Sequence, residues 1–125
     1  MAQSEETSNA DLIQSVEVGD DHVRVAIAGE IDLRNSPLLR NKLLELTRQH
    51  HPARFELDLH DVPYMDSSAL AVLVELLKEM RQKVNGDKQA ARVALVELQP
   101  RVRGLLHIAR LDAIFDMETA DDGAD

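Results

Sequence analysis

The sequence contains no cysteine, and its only aromatic residues are one tyrosine and two phenylalanines. The lack of cysteine excludes a disulfide scaffold, a thiolate metal site and a cysteine nucleophile. The scarcity of aromatic side chains disfavours base stacking on single-stranded nucleic acid. The sequence also lacks any apolar run near the roughly 20 residues that a membrane-spanning helix needs. We therefore expect no direct insertion into a membrane.

Basic residues are too few to balance the acidic ones. The chain has 14 Lys and Arg against 23 Asp and Glu, a formal net charge of −9. Binding to a phosphate backbone needs a basic surface, so this balance argues against a nucleic-acid partner. The polar, acidic start lacks the basic and apolar regions of a secretory signal. These features predict a cytoplasmic protein.

A length of 125 residues corresponds to one domain with a real hydrophobic core. The patterned part runs from 12 to 117, and we expect flexible acidic tails at 1–11 and 118–125. Alternation, turn residues and helical spacing predict the order β-β-α-β-α-β-α-(β). Strands are expected at 12–18, 22–28, 54–59 and 92–98, and a small one ends near 117. Helices are expected at 36–50 and 66–84, and a shorter one starts at Pro100.

The strand at 54–59 indicates how the sheet is covered. Its apolar residues point one way and its charged residues point the other: Phe55, Leu57 and Leu59 against Arg54, Glu56 and Asp58. A strand buried on both faces would be apolar throughout. We therefore predict an α/β fold with a mixed, mostly parallel sheet of four to five strands. Its helices lie mainly on one face, and the other face is in water.

The helix predicted at 66–84 has a wide apolar face. On a helical wheel its apolar residues span an arc of about 200°, against somewhat more than 100° for an ordinary core-facing helix. Two interpretations explain this width. Either the whole helix is deeply buried, or part of the apolar arc, such as Val72 and Leu76, is exposed and contacts a partner. The wheel leaves both interpretations open.

The start of this helix, Asp66-Ser67-Ser68, also has two interpretations. An Asp or Ser at this position caps a helix by accepting a hydrogen bond from a backbone N–H. A hydroxyl there is equally suited to phosphorylation, because a phosphate meets free N–H groups and the positive end of the helix dipole. A phosphate would add about −1.5 to −2 charges and disrupt docking of an acidic or apolar partner.

Two motifs together resemble the STAS domain of bacterial anti-sigma factor antagonists. MDSS at 65–68 lies between a strand and an amphipathic helix, and GEID at 29–32 is similar to a Gly-Glu-x-Asp signature at the end of the preceding strand. The resemblance covers roughly residues 12–117 in the same element order. The chain departs from the family at Ala69, where Gly is usual.

The resemblance implies a partner-switching protein that is not an enzyme and needs no cofactor or metal. An anti-sigma factor that is also a serine-protein kinase would phosphorylate Ser67. Only the unphosphorylated protein would bind that factor and so regulate transcription, and a phosphatase of the PP2C type would reset it. Asp32 would lie near the phosphoserine loop, Asp66 would flank the acceptor, and Ser68 would assist at the helix start.

The expected binding surface is built from the start and exposed flank of the helix at 67–84, together with the loop at 32–35. Its expected switch residues are seven: Asp32, Asp66, Ser67, Ser68, Ala69, Val72 and Leu76. Alternatives within the same fold are a STAS subunit of a lipid ABC transporter and a partner-switch regulator of secretion, biofilm or stress complexes. A monomer or weak dimer is expected. A serine hydrolase is disfavoured, because Ser67 lies in no Gly-x-Ser-x-Gly elbow.

Overall fold

The computed structural model describes residues 12–83 and 91–119. They form five strands, three helices and one 3-10 turn along the chain. In order these are β1 Ile13–Val18, β2 His22–Ala28, α1 Ser36–His50, β3 Arg54–Asp61, α2 Ser67–Lys83, β4 Arg92–Leu98, α3 Pro100–Ile108, the 3-10 turn Leu111–Ala113 and β5 Asp116–Thr119.

The five strands form one sheet in the order β1-β2-β3-β4-β5. β1 and β2 are antiparallel and form a hairpin around Gly19, whereas β2, β3, β4 and β5 are parallel neighbours. Each parallel pair is joined by a helical crossover, as parallel strands require. The predicted mixed, mostly parallel α/β sheet is confirmed.

One face of the sheet forms the core. Apolar residues from β2 and β3 are fully buried there, and side chains from all three helices pack against them. The predicted alternation of the strand at 54–59 is confirmed, since Phe55, Leu57 and Leu59 are each 0% exposed. The helices thus cover the face to which the apolar residues point.

The opposite face of the sheet carries ion pairs between strands. The Arg24 guanidinium donates to Glu56 Oε1 at 2.6 Å and to Asp58 Oδ2 at 3.0 Å. Arg54 donates to Glu56 Oε2 at 2.9 Å and lies 3.6 Å from Asp116 Oδ2. Half-exposed pairs of this kind each contribute about 0–1 kcal/mol, so the helical face dominates the stability.

β4 departs from the prediction that one face of the sheet is in water. Ala94 and Val96 lie on the charged side of the sheet, yet they are 0% and 4% exposed. In register they neighbour Glu56 and Asp58 of β3, both of which form ion pairs with Arg24. A central strand is thus buried on both faces even where no helix covers it.

Some observed helix and strand boundaries differ from the predicted boundaries by one or two residues. Asn35, and not Ser36, occupies the cap position of α1, and Ser36 is a buried first residue. The last strand continues to Thr119, beyond the predicted domain end at 117. The predicted helix end at Val84 and most of both predicted tails lie outside the described residues.

Candidate functional site

Two loops meet where the parallel strands β2 and β3 end. A single bridge pairs Ile31, after β2, with Met65, after β3. The Ile31 N–H donates to the Tyr64 carbonyl, and the Asp66 N–H donates to the Ile31 carbonyl, each at 3.1 Å. The structure therefore brings the GEID and MDSS motifs together across a short parallel pairing.

Gly29 allows the first loop to leave the strand in this direction. Its φ is +104°, a conformation that residues with a β-carbon rarely adopt. A β-carbon there would also lie 3.3 Å from Leu12 Cδ2. The Gly29 N–H donates to the Asp61 carbonyl at 2.9 Å and holds the turn against the end of β3.

Asp32 closes the loop between β2 and α1. Its Oδ1 accepts the backbone N–H of Arg34 at 2.9 Å, and its own N–H donates to Asn35 Oδ1 at 2.9 Å. Burial acts to raise the pKa of Asp32, but hydrogen bonds from Arg34 outweigh it, so the pKa lies below the ordinary value. Asp32 remains a carboxylate at neutral pH and fixes the loop beside the start of α2.

Asp66 connects α2 to this loop. Its Oδ1 accepts the Ser68 N–H at 2.9 Å and the Ser68 hydroxyl at 2.5 Å, which caps the helix. Its Oδ2 accepts the Leu33 N–H at 3.2 Å. The hydrogen bond from the Ser68 hydroxyl is the main cause that lowers the pKa of Asp66, and backbone N–H groups add to it. One carboxylate thus holds both parts of the site.

The two serines differ in what their hydroxyls do. The Ser68 hydroxyl is half-buried and donates to Asp66. Ser67 is exposed as the first residue of α2, and its hydroxyl makes no hydrogen bond to any residue in 12–83 or 91–119. Phosphorylation of Ser68 would break the Asp66 contact, whereas Ser67 has no such bond to lose. The geometry favours Ser67 as an acceptor of a phosphoryl group.

Three other predicted surface residues point into the core. Ala69, Val72 and Leu76 are 2%, 6% and 0% exposed. The expectation that Val72 and Leu76 meet a partner is therefore wrong, because α2 packs against both the sheet and α1 and buries most of its apolar arc. The Ala69 methyl group also points inward, so it does not project toward an enzyme approaching Ser67.

The exposed flank of α2 lies on another side of the helix. Leu70, Ala71 and Val74 follow Ser67 and line a groove of about 620 Å³. Ala109 and Leu111, after α3, form its opposite wall. A partner that contacts Ser67 would meet this groove next.

The sequence predicted that the loop at 32–35 belongs to the binding surface but did not single out Leu33 or Asn35 within it. Leu33 is 71% exposed at the tip of the first loop, and its N–H is held by Asp66. The Asn35 amide donates to the Glu30 carbonyl at 3.0 Å and braces the loop. The available signal was an apolar residue between two charged ones in a predicted loop, which indicates exposure but does not by itself indicate a contact.

Comparison with known proteins agrees with this geometry. A family model described as the STAS domain matches residues 14–124. The chain belongs to the STAS domain family. The anti-sigma-B factor antagonist of Bacillus subtilis (strain 168) is 35% identical over 108 residues, which are 86% of this STAS chain and 92% of the relative.

Solved structures of STAS domains match along nearly the whole chain. An anti-sigma factor antagonist from Mycobacterium paratuberculosis has a TM-score of 0.70 and 25% identity, with 90% of each chain covered. The Bacillus cell fate determinant SpoIIAA in its phosphorylated form has a TM-score of 0.63 and 20% identity, with 90% of this chain and 95% of that chain covered. The second likeness shows the fold alone.

Within 12–83 and 91–119, no helix of this STAS domain has both the length and the hydropathy that are needed to cross a membrane.

Two substitutions of Asp66 distinguish its role as the cap of α2 from its hydrogen bond with the Leu33 N–H. Asp66→Ala should destabilise the protein by about 1 kcal/mol, because the helix cap is lost. Asp66→Asn should lose less at pH 7, since its amide oxygen still caps Ser68 while its NH₂ group cannot accept the Leu33 N–H. Urea unfolding measures the stability, and the amide resonance of Leu33 reports on the loop.

The lowered pKa of Asp66 also gives a pH dependence with a defined sign. Its stabilising contribution is complete above the ordinary carboxyl value of about 3.9 and is lost as the pH falls through the lower folded-state pKa. Between pH 7 and pH 3, Asp66→Asn should therefore lose less stability than the unaltered protein. Parallel stability curves for the two would contradict a role for the carboxylate charge.

Proposed function

We propose that this STAS protein is an anti-sigma factor antagonist controlled by phosphorylation of Ser67. It acts without catalysis of its own, as a cytoplasmic partner-switching protein that regulates transcription. The observation that carries the proposal is the exposed, unbonded hydroxyl of Ser67 beside the capping carboxylate of Asp66. The 35% identical relative, which is named for antagonism of an anti-sigma factor, supports the same function.

A phosphate at Ser67 is compatible with the fold. Because Ser67 is the first residue of α2, the phosphate would meet the positive end of the helix dipole, while the N–H groups of Ser68, Ala69 and Leu70 already donate to Asp66. It would also place about −1.5 to −2 charges beside the carboxylate of Asp66. The folded structure tolerates the charge, whereas a docked acidic or apolar partner does not.

The proposed cycle has one bound state, one free state and two enzymes. Unphosphorylated protein binds an anti-sigma factor, which is also the serine-protein kinase that transfers the phosphoryl group of ATP to Ser67 Oγ. The phosphorylated protein dissociates, and a phosphatase of the PP2C type restores the hydroxyl. Ser67, Leu33 and the start of the α2 groove form the contact surface, and the protein works as a monomer or weak dimer.

The antagonist function is preferred to a subunit of a lipid ABC transporter. A transporter subunit would need no modifiable hydroxyl, whereas here Ser67 is exposed and Ser68 is held by Asp66. A regulator of secretion, biofilm or stress complexes would use the same switch with a different target, so identification of the captured partner decides between them.

Phosphosite mapping by mass spectrometry tests the proposal directly. Protein purified from its native host across growth conditions should carry phosphate on Ser67, in a proportion that changes with condition. Ser68 should remain unmodified because its hydroxyl is bonded to Asp66, and a Ser67→Ala strain is the control. Absence of phosphate on Ser67 under all conditions would reject the switch and leave Asp66-Ser67-Ser68 as a helix cap.

A further inference from the structure

A second concave surface adjoins the switch on the side of α3. Tyr64, Arg101, Leu105 and Ile108 line a pocket of about 300 Å³, here called the Tyr64 pocket. Met65, which pairs with Ile31, forms part of its wall, so the pocket is continuous with the segment that leads to Ser67. The pocket therefore lies within reach of any partner that contacts Ser67.

Two residues of the Tyr64 pocket carry exposed apolar surface. Ile108 is 79% exposed and Tyr64 is 40% exposed, whereas Met65 at the wall of the pocket is 1% exposed. Single exposed apolar residues are ordinary, but two around one concavity next to a functional site indicate a contact surface. They would provide the apolar centre of an interface.

The charge in the pocket is also distinctive. Among the described residues, six arginines lie within 4 Å of a carboxylate, whereas four do not: Arg81, Arg101, Arg103 and Arg110. Of these four, Arg101 is the one held over an aromatic ring, with its guanidinium 5.6 Å from the centre of the Tyr64 ring. An unpaired arginine held over a ring is pre-organised to receive a carboxylate.

We infer that the Tyr64 pocket is a second docking site for the same protein partner, and that it accepts an acidic amphipathic segment. An apolar side chain of that segment contacts Ile108 and Leu105, and a neighbouring carboxylate pairs with Arg101. This inference rests on the proposed function, because it assigns the specificity of the partner that Ser67 controls. Nucleic acid does not fit, because binding a phosphate backbone needs several cations and Arg101 is the one cation among the residues that line the pocket.

Photo-crosslinking in the native host distinguishes this site from the switch itself. A photoreactive residue is placed in the full chain at position 108, at position 71 beside Ser67, or at position 18. Val18 is a matched control, because it is 49% exposed at the opposite end of the sheet. Positions 108 and 71 should crosslink to the same protein, position 18 should not, and Ser67→Asp should suppress both crosslinks.

Each other crosslinking result has a definite meaning. A crosslink from 71 without one from 108 would overturn the Tyr64 pocket and leave the proposed function standing. Absence of crosslinks from both positions would reject both. A crosslink from 108 to residues 120–125, which contain three aspartates, or to a second copy of the chain would show that another occupant fills the pocket and would overturn the inference.

The charge of the pocket is tested with the crosslinked partner after purification. Arg101→Glu should weaken binding by about tenfold or more, as expected for a central arginine of an interface. Arg103→Glu makes the same charge change two residues away on α3, outside the pocket, and should have little effect. Equal losses for the two variants would indicate general charge repulsion and contradict a specific carboxylate site.

Discussion

Ser67→Asp is expected to weaken binding of the anti-sigma partner on the order of 100-fold, which corresponds to about 2–3 kcal/mol. The new carboxylate lies on the contact surface beside Asp66, where the partner would have to bury two like charges. The same change should leave the fold intact, because an acidic residue in the first turn of a helix interacts favourably with its dipole. Isothermal titration calorimetry and thermal unfolding measure the two effects separately.

Two further substitutions isolate the role of charge. Ser67→Asn has nearly the shape of the Asp variant without its charge, so it should bind much more tightly than Ser67→Asp. Ser67→Ala should bind constitutively, because it cannot be phosphorylated. If Asn weakens binding as much as Asp, the surface is sensitive to size, and electrostatic repulsion is not the basis of the switch.

Leu76→Ala is expected to destabilise the protein by about 2–5 kcal/mol, the range for truncating a buried leucine. Leu76 is 0% exposed on the side of α2 that packs into the core, so its loss leaves a cavity among α1, α2 and the sheet. Urea unfolding should show the reduced stability. The affinity of the remaining folded molecules for the partner should be unchanged.

Val74→Ala is the matched control on the same helix. Val74 is half-buried and lines the exposed groove, so its truncation should cost only about 1 kcal/mol or less of stability. If the groove contacts the partner, Val74→Ala should weaken binding more than Leu76→Ala does. An unaffected stability with weakened binding in Leu76→Ala would mean that the apolar arc faces the partner after all.

Strands with strict alternation were the most predictable part of the fold. The period-2 pattern of β2 and β3 fixed both the strand type and the buried face, because burial on one side leaves a regular signal. The pattern of β4 predicted a strand but not the burial of Ala94 and Val96, since β4 lies between β3 and β5 in the sheet and charged residues of those strands stand beside it in register. Cover of that kind depends on the order of the strands in the sheet and not on the local sequence.

The site was predictable in its motifs but not in its geometry. Residues 29–32 and 65–68 identified where the loops would meet, and Asp66 and Ser67 lie where the helix start was expected. The helical wheel did not show which part of the arc is exposed, because α1 as well as the sheet covers α2. For that reason Val72 and Leu76 were expected to be exposed although they are buried, and Leu33 was not singled out within the expected loop at 32–35.

The position of Ser67 at the first residue of α2 has a consequence for the energy needed to reach it. Ser67 is the first residue of α2, so its N–H has no partner within the helix and only its carbonyl can accept a helical hydrogen bond. The Asp66 side chain holds the segment through Ser68 and Leu33, and the Asp66 N–H donates to the Ile31 carbonyl. In amide hydrogen exchange, this segment should open far more often than the buried turns that follow it. A modifying enzyme can thus draw out the acceptor serine while the rest of the domain stays folded.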